Sequence, residues 1–279
     1  MKNNDRNNSP IGIFDSGIGG LTVLKEVSAL LPNEKAVYIG DTARVPYGIK
    51  SKETVLSYSR ELCATLIEKN VKLIIVACNT ASAYALHELQ SELSIPVTGV
   101  IEPGASRAVE TSKSGKIGVI ATEATIKSKA YSEAIKSLSP DAEIIEIACP
   151  LFVPLAEEGW IDNDVAEATA KKYLSAFMAD NGTTPGKPTI DTLVLGCTHY
   201  PLLKDTISNI MGSNVSIVDS ASATADYVSA LLNEQNLSAP GDQKGSYDFY
   251  ATDSTERFSR VGGNFFGEKL SKVELLKLK

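Results

Sequence analysis

A short apolar run that breaks off into a cysteine occurs twice in this chain, and the repetition limits the fold more than any other feature. Lys72 to Ser82 reads KLIIVACNTAS, in which Leu73-Ile74-Ile75-Val76 leads through Ala77 to Cys78, Asn79 and Thr80. Asp191 to Leu202 reads DTLVLGCTHYPL, in which Leu193-Val194-Leu195 leads through Gly196 to Cys197, Thr198 and His199. Runs this short, apolar throughout and bounded by small residues, predict strands buried on both faces, the pattern of a parallel sheet. Ligands of open α/β sheets bind outside the carboxyl ends of the strands. Each cysteine is therefore expected at a tip where a site can be built, with hydrogen-bonding side chains beside it.

The surroundings of the two runs repeat as well. Ile11 to Phe14 predicts a strand ending in Asp15-Ser16-Gly17-Ile18-Gly19-Gly20, followed by a helix from about Leu21 to Leu30. Ala36 to Ile39 predicts a second strand that runs into the loop Gly40 to Gly48. Val55, Tyr58, Leu62 and Leu66, at helical spacing, predict a helix from about Ser51 to Lys69. The Cys78 strand, a helix to about Leu93, and a strand from Pro96 that ends at Ile101-Glu102-Pro103-Gly104 complete the first set. The second set opens with a strand Ile117 to Ala121 ending at Thr122, then a helix to about Leu138 and a strand Glu143 to Ala148 before Cys149. Helical pieces over 152–158 and 164–179, a loop over 181–188, the Cys197 strand, a helix to about Met211 and a strand Val215 to Val218 finish it. A helix from Ser220, a linker over 238–245, a strand Tyr247 to Ala251, and helical or mixed structure over 255–260 and 269–276 follow. Alternating strands and helices imply parallel sheets, and their repetition implies two similar α/β domains.

Composition narrows the partners. The 279 residues carry a net charge of −7, which argues against a nucleic acid, since phosphates call for a basic surface. With 43% apolar and 22% charged residues the chain is of ordinary globular make-up. No apolar run reaches the roughly 18 residues that span a membrane. MKNNDRNNSP has no apolar segment of the secretory kind, so a cytoplasmic protein with free thiols is expected. Four cysteines, two histidines and no CxxC pair argue against a structural zinc site.

The strand tips then suggest chemistry. They offer Asp15-Ser16, Asp41-Thr42, Cys78-Asn79-Thr80, Thr122 and Cys197-Thr198-His199. Two such sheets facing tip to tip would put both cysteines in one cleft, with helix N-termini that suit carboxylates. A thiolate on one side of a carbon can remove a proton while a thiol on the other side returns one. Asp15 can assist Cys78, and His199 can assist Cys197. Cys63 and Cys149 read as small buried apolar side chains, and His87 as a surface residue. The Asp15 to Gly20 stretch fits neither GxGxxG nor GxxxxGK[ST], so no nucleotide site is expected there. Glu157-Glu158, before Gly159, reads as a solvated helix end.

Together, FDSGIGGLTVL, GDTARVPYG, ACNTAS, GVIEPGA, CPLFVPLAEEG and LGCTHYPLL resemble the glutamate racemases of the aspartate/glutamate racemase superfamily, from about Ile11 to about Asp226. RFSRVGGNFFG, near the C-terminus, is also similar. The resemblance implies two pseudo-symmetric α/β domains with parallel-type sheets and an active site in the cleft between them. It assigns 11–99 plus 213–279 to the first domain and 100–212 to the second, and the polar residues 1–10 read as a disordered leader. It further implies cofactor-independent interconversion of L- and D-glutamate, supplying D-glutamate for peptidoglycan, with neither pyridoxal phosphate nor metal. Cys78 matches the thiol that takes the α-proton of D-glutamate, and Cys197 the thiol that takes that of L-glutamate. Asp15, Glu157 and His199 match assisting residues. Asp15, Ser16, Pro46, Tyr47, Gly48, Asn79, Thr80, Thr122, Thr198 and His199 match substrate contacts. Ala121 stands where the family has glycine in a Gly-Thr step, so a small change of loop shape is expected beside Thr122. A homodimer without nucleic-acid or membrane partners is expected. An aspartate racemase and a non-catalytic two-lobed amino-acid-binding protein remain alternatives. The stretch Arg44 to Gly48 and the histidine after Cys-Thr favour glutamate.

Overall fold

A computed structural model describes residues 7–178, 188–241 and 244–278. The chain divides into two compact units, Met1–Val100 with Ala221–Lys279, and Ile101–Ser220.

The first unit is built on a six-stranded sheet. In chain order it contains β1 (Ile11–Asp15), α1 (Leu21–Leu30), β2 (Ala36–Gly40), α2 (Lys52–Glu68), β3 (Leu73–Val76), α3 (Asn79–Glu92) and β4 (Val97–Gly99). The strand order is β10-β9-β2-β1-β3-β4, with every pairing parallel. β1, β2 and β3 are buried along their whole length, as continuous apolar runs covered on both faces require.

The second unit carries α4 (Ile101–Thr111), β5 (Lys116–Ala121), α5 (Glu123–Ser128), α6 (Ala130–Leu138), β6 (Glu143–Ala148), α7 (Phe152–Glu158), α8 (Asp164–Leu174), β7 (Thr192–Gly196), α9 (Lys204–Met211) and β8 (Ser216–Asp219). Its parallel sheet has the order β6-β5-β7-β8. That is the β2-β1-β3-β4 order of the first sheet, so the repetition in sequence is a repetition in topology. In this order the chain leaves the first strand to one side and returns on the other, which opens a crevice between the first and third strands at their carboxyl ends. Each cysteine follows the third strand of its own sheet and stands at that sheet's crevice.

The chain after Ser220 completes the first unit. α10 (Ser220–Glu234) is followed by β9 (Tyr247–Ala251), α11 (Thr255–Phe266) and β10 (Val273–Leu275). β9 pairs with β2, and β10 closes the sheet edge.

Several local expectations are corrected. Ile101-Glu102-Pro103-Gly104 is the first turn of α4, because a proline there forfeits no intrahelical hydrogen bond. The helix expected up to Leu138 is broken into α5 and α6 at Lys129, whose φ of 61° is left-handed. The mixed stretch after Lys269 contains β10. A boundary at 212/213 would detach β8 from β7, its partner in the second sheet, and the division falls after Ser220 instead. Of the expected leader, residues 1–6 lie outside the described residues, but residues 7–10 are held. Lys72 Nζ donates to Asn7 O at 2.8 Å, and Lys72 N donates to Pro10 O at 2.9 Å. The loop over 181–188 lies outside the described residues except for Pro188.

Lys72 anchors more than this segment. Its buried ammonium lies 2.6 Å from Glu34 Oε2 and donates to Leu237 O at 2.7 Å, while Glu34 Oε1 accepts from Ala239 N at 2.7 Å. The pair thus fastens three distant chain segments at the amino end of the first sheet, the end opposite Cys78. Among the described residues no helix is long and apolar enough to cross a membrane.

Candidate active site

In the first unit the carboxyl ends of β1, β2 and β3 present one cluster. Asp15 ends β1 fully buried, and its Oδ2 accepts from Gly17 N at 2.9 Å, which curls the chain over the strand tip. Ser16, in the middle of that turn, has its Oγ 3.6 Å from Cys78 Sγ. Cys78 is the N-cap residue of α3 and is buried at 6% exposure. Asn79 and Thr80 form the first turn of that helix, so its amide N–H groups and the positive end of its dipole favour negative charge at this point. Register puts Asp15 beside Gly40 of β2. A methyl at Gly40 would fall 2.4 Å from the Gly17 carbonyl oxygen, so only glycine lets β2 pass so close to the turn.

The loop after β2 is held from below. Buried Asp41 accepts from the Tyr47 hydroxyl, from Arg44 Nε at 2.7 Å and from Thr252 Oγ1 at 2.9 Å. Arg44 also reaches Glu61 at 2.7 Å and lies 4.0 Å over the Tyr58 ring. Burial, and then Asp41, push the Tyr47 phenol far up, so it stays a donor. Its hydroxyl is therefore spent on Asp41. What Pro46-Tyr47-Gly48 offers outward is backbone, with Pro46 exposed and Gly48 half-buried.

The second unit presents its cluster at the ends of β5 and β7. Gly196 ends β7 against α6 and β5, where a methyl would lie 2.9 Å from Tyr131 Cε2 and 3.0 Å from Ile120 O. Cys197, Thr198 and His199 follow, each 5–6% exposed. His199 Nδ1 is 3.9 Å from Cys197 Sγ and 3.5 Å from Thr198 Oγ1. Its Nε2 is 3.0 Å from Glu157 Oε1 at the end of α7. Burial alone would push the imidazole down. The Cys197 sulfur and the Glu157 carboxylate more than offset it and push His199 up to about 10. The ring thus favours the imidazolium form, set between the Cys197 sulfur and a carboxylate. Thr122 caps α5, its Oγ1 lying 3.5 Å from Thr125 N and 3.0 Å from Thr125 Oγ1.

Glu157 and Glu158 divide as residue-by-residue reading did not foresee. Glu158 is exposed, whereas Glu157, 16% exposed, turns in to His199. Asp41 appeared in the sequence only as a polar strand tip, and its partner Thr252, 211 positions away, carried no local signal. Cys63 and Cys149 are buried. Burial pushes the Cys63 thiol up to about 12 and raises Cys149 as well. His87 is exposed on α3.

The sequence profile of the Asp/Glu/Hydantoin racemase family matches residues 19–228. The chain belongs to this family. A glutamate racemase of Geobacter metallireducens is 54% identical over 263 residues, 94% of each chain. The crystal structure of a glutamate racemase isoform from Bacillus anthracis superimposes with a TM-score of 0.90 at 39% identity, covering 97% of this chain and 98% of that one. The glutamate racemase of Francisella tularensis, in complex with D-glutamate, superimposes with a TM-score of 0.87 at 39% identity over the same shares. The chain is an amino-acid racemase, an isomerase, and its relatives are glutamate racemases.

Proposed function

We propose that this enzyme interconverts L- and D-glutamate with two thiols and no cofactor, in the cytoplasm, as a homodimer, and supplies D-glutamate for peptidoglycan. The observation that carries the reading is the placement of the two cysteines. Cys78 and Cys197 follow the same strand of the same 2-1-3-4 topology, at the crevice where α/β sheets bind ligands, and each has its own buried assisting groups.

In the direction from L-glutamate, the Cys197 thiolate takes the α-proton. The C–H bond breaks, an S–H bond forms, and the electron pair passes to the α-carbon and its carboxylate. The Cys78 thiol then gives its proton to the opposite face, leaving D-glutamate and a Cys78 thiolate. In the other direction the roles exchange. The chemistry requires the two units to present these thiols to opposite faces of one α-carbon. His199, as imidazolium, stabilises the Cys197 thiolate, and Glu157 holds the ring in place. On the other side Ser16 meets the Cys78 sulfur, and Asp15 holds the turn that carries Ser16 and assists the Cys78 proton transfer. The α3 N-terminus with Asn79 and Thr80, the Pro46-Tyr47-Gly48 backbone, Thr122 and Thr198 bind the substrate's carboxylates and amine.

A glutamate analogue with a leaving group on the β-carbon tests this. Elimination needs one α-proton removed and none returned. Cys78→Ala and Cys197→Ala each abolish racemisation. Cys197→Ala still eliminates from the D-configured analogue, and Cys78→Ala from the L-configured one. A cysteine variant that processes both enantiomers equally would refute the opposed-thiol mechanism.

A further inference from the structure

Tyr38 lies on β2 opposite Ile13 of β1 and is fully buried. Its hydroxyl donates to the Gly17 carbonyl oxygen at 3.1 Å. It also fills the space above Gly20, where a methyl would approach it to 2.9 Å. Its ring packs on Phe258 of α11, with centroids 5.9 Å apart.

Gly17 is consequently gripped at both ends of its peptide groups. Its N–H is donated to the Asp15 carboxylate, and its carbonyl receives the Tyr38 hydroxyl. Ser16, between the gripped glycine and Asp15, is the residue whose hydroxyl meets the Cys78 sulfur. The turn Asp15-Ser16-Gly17 thus has the Tyr38 hydroxyl beneath it and Cys78 in front of it. Burial, with Asp15 and Cys78 nearby, pushes the phenol far up, so it remains a donor wherever the enzyme works.

We propose that Tyr38 is a positioning residue for the Cys78 half of the reaction, holding Asp15 and Ser16 against the Cys78 thiol through its hydrogen bond to Gly17. The inference rests on the two-thiol reading. It goes beyond that reading by giving one half-reaction a support from the buried side of the sheet. Cys197 belongs to the other unit.

The test is Tyr38→Phe, which removes one oxygen and keeps the ring in its packing. Elimination from both enantiomers of the β-leaving-group analogue is measured well below the thermal midpoint. Cys78→Ala and Cys197→Ala serve as references that define which enantiomer each thiol handles. Tyr38→Phe should lower kcat/KM about threefold to tenfold, the worth of one buried hydrogen bond, on the enantiomer that Cys197→Ala still processes. The other enantiomer should change less than about twofold, below the low end of that range. A partly unfolded variant would lower both rates alike, so their ratio reports positioning and not folded fraction. Equal loss on both enantiomers, or no loss on either, overturns the role of Tyr38 while leaving the two-thiol reading in place. If the cysteine variants themselves show no split, the reading fails and the role of Tyr38 falls with it.

Discussion

Lys72→Met would leave the Glu34 carboxylate buried beneath the first sheet without its cation. In the native protein the ammonium sits 2.6 Å from Glu34 Oε2, and both side chains are almost wholly inaccessible. Removing one partner of a buried pair typically costs about 3–5 kcal/mol, because the other charge stays desolvated. Two backbone carbonyls, of Asn7 and Leu237, lose a donor at the same time. At roughly 2–4 °C per kcal/mol for a unit of this size, the melting midpoint should fall by about 6–20 °C. The double variant Lys72→Met with Glu34→Leu removes both charges and should recover most of the stability. Calorimetry of the three proteins decides the matter. A shift below about 2 °C for the single variant, or a double variant less stable than the single, would refute the reasoning. Activity of the folded single variant at low temperature should be close to native, since the pair lies at the end of the sheet away from Cys78.

Three further outcomes are expected. His199, raised from 6.5 to about 10, contributes stability that is complete below its unfolded value and is lost as pH rises through 10, so the melting difference between native protein and His199→Asn should narrow between pH 6.5 and 10. Tyr47→Phe deletes a bond to buried Asp41 and loosens the loop without removing a proton-transfer group, so steady-state kinetics should show KM raised several-fold with kcat little changed. One thiolate and one thiol are needed together, so kcat/KM should follow a bell-shaped pH profile whose two apparent pKa values belong to the coupled pair. A rate that rises to a sustained plateau would contradict this.

Local sequence determined the elements that carry the chemistry. A short, unbroken apolar run bounded by small residues reads as a strand buried on both faces, and the small residue after it lets the chain turn into a helix. The strand-cysteine-helix segments around Cys78 and Cys197 were legible for that reason, as were the polar tips at Asp15 and Thr122. Signals that depend on a few residues misled. Pro103 and Gly104 read as helix breakers, yet a first turn tolerates both, and three-residue β10 has too little pattern to announce itself. What no segment could show is which side chains meet. The strand order that puts both cysteines beside a first strand follows from packing helices on two faces of each sheet. Glu157 and Glu158 are chemically identical neighbours, and only the docking of α7 against the β7 tip turns one toward His199 and the other toward water. Asp41 finds Thr252, and Tyr38 reaches Gly17, through parallel pairing across β9, β2 and β1. The sequence thus determined where chemistry is presented, because burial of a strand is a local demand, and tertiary structure decided what supports it, because a hydrogen bond depends on distance in space and not along the chain.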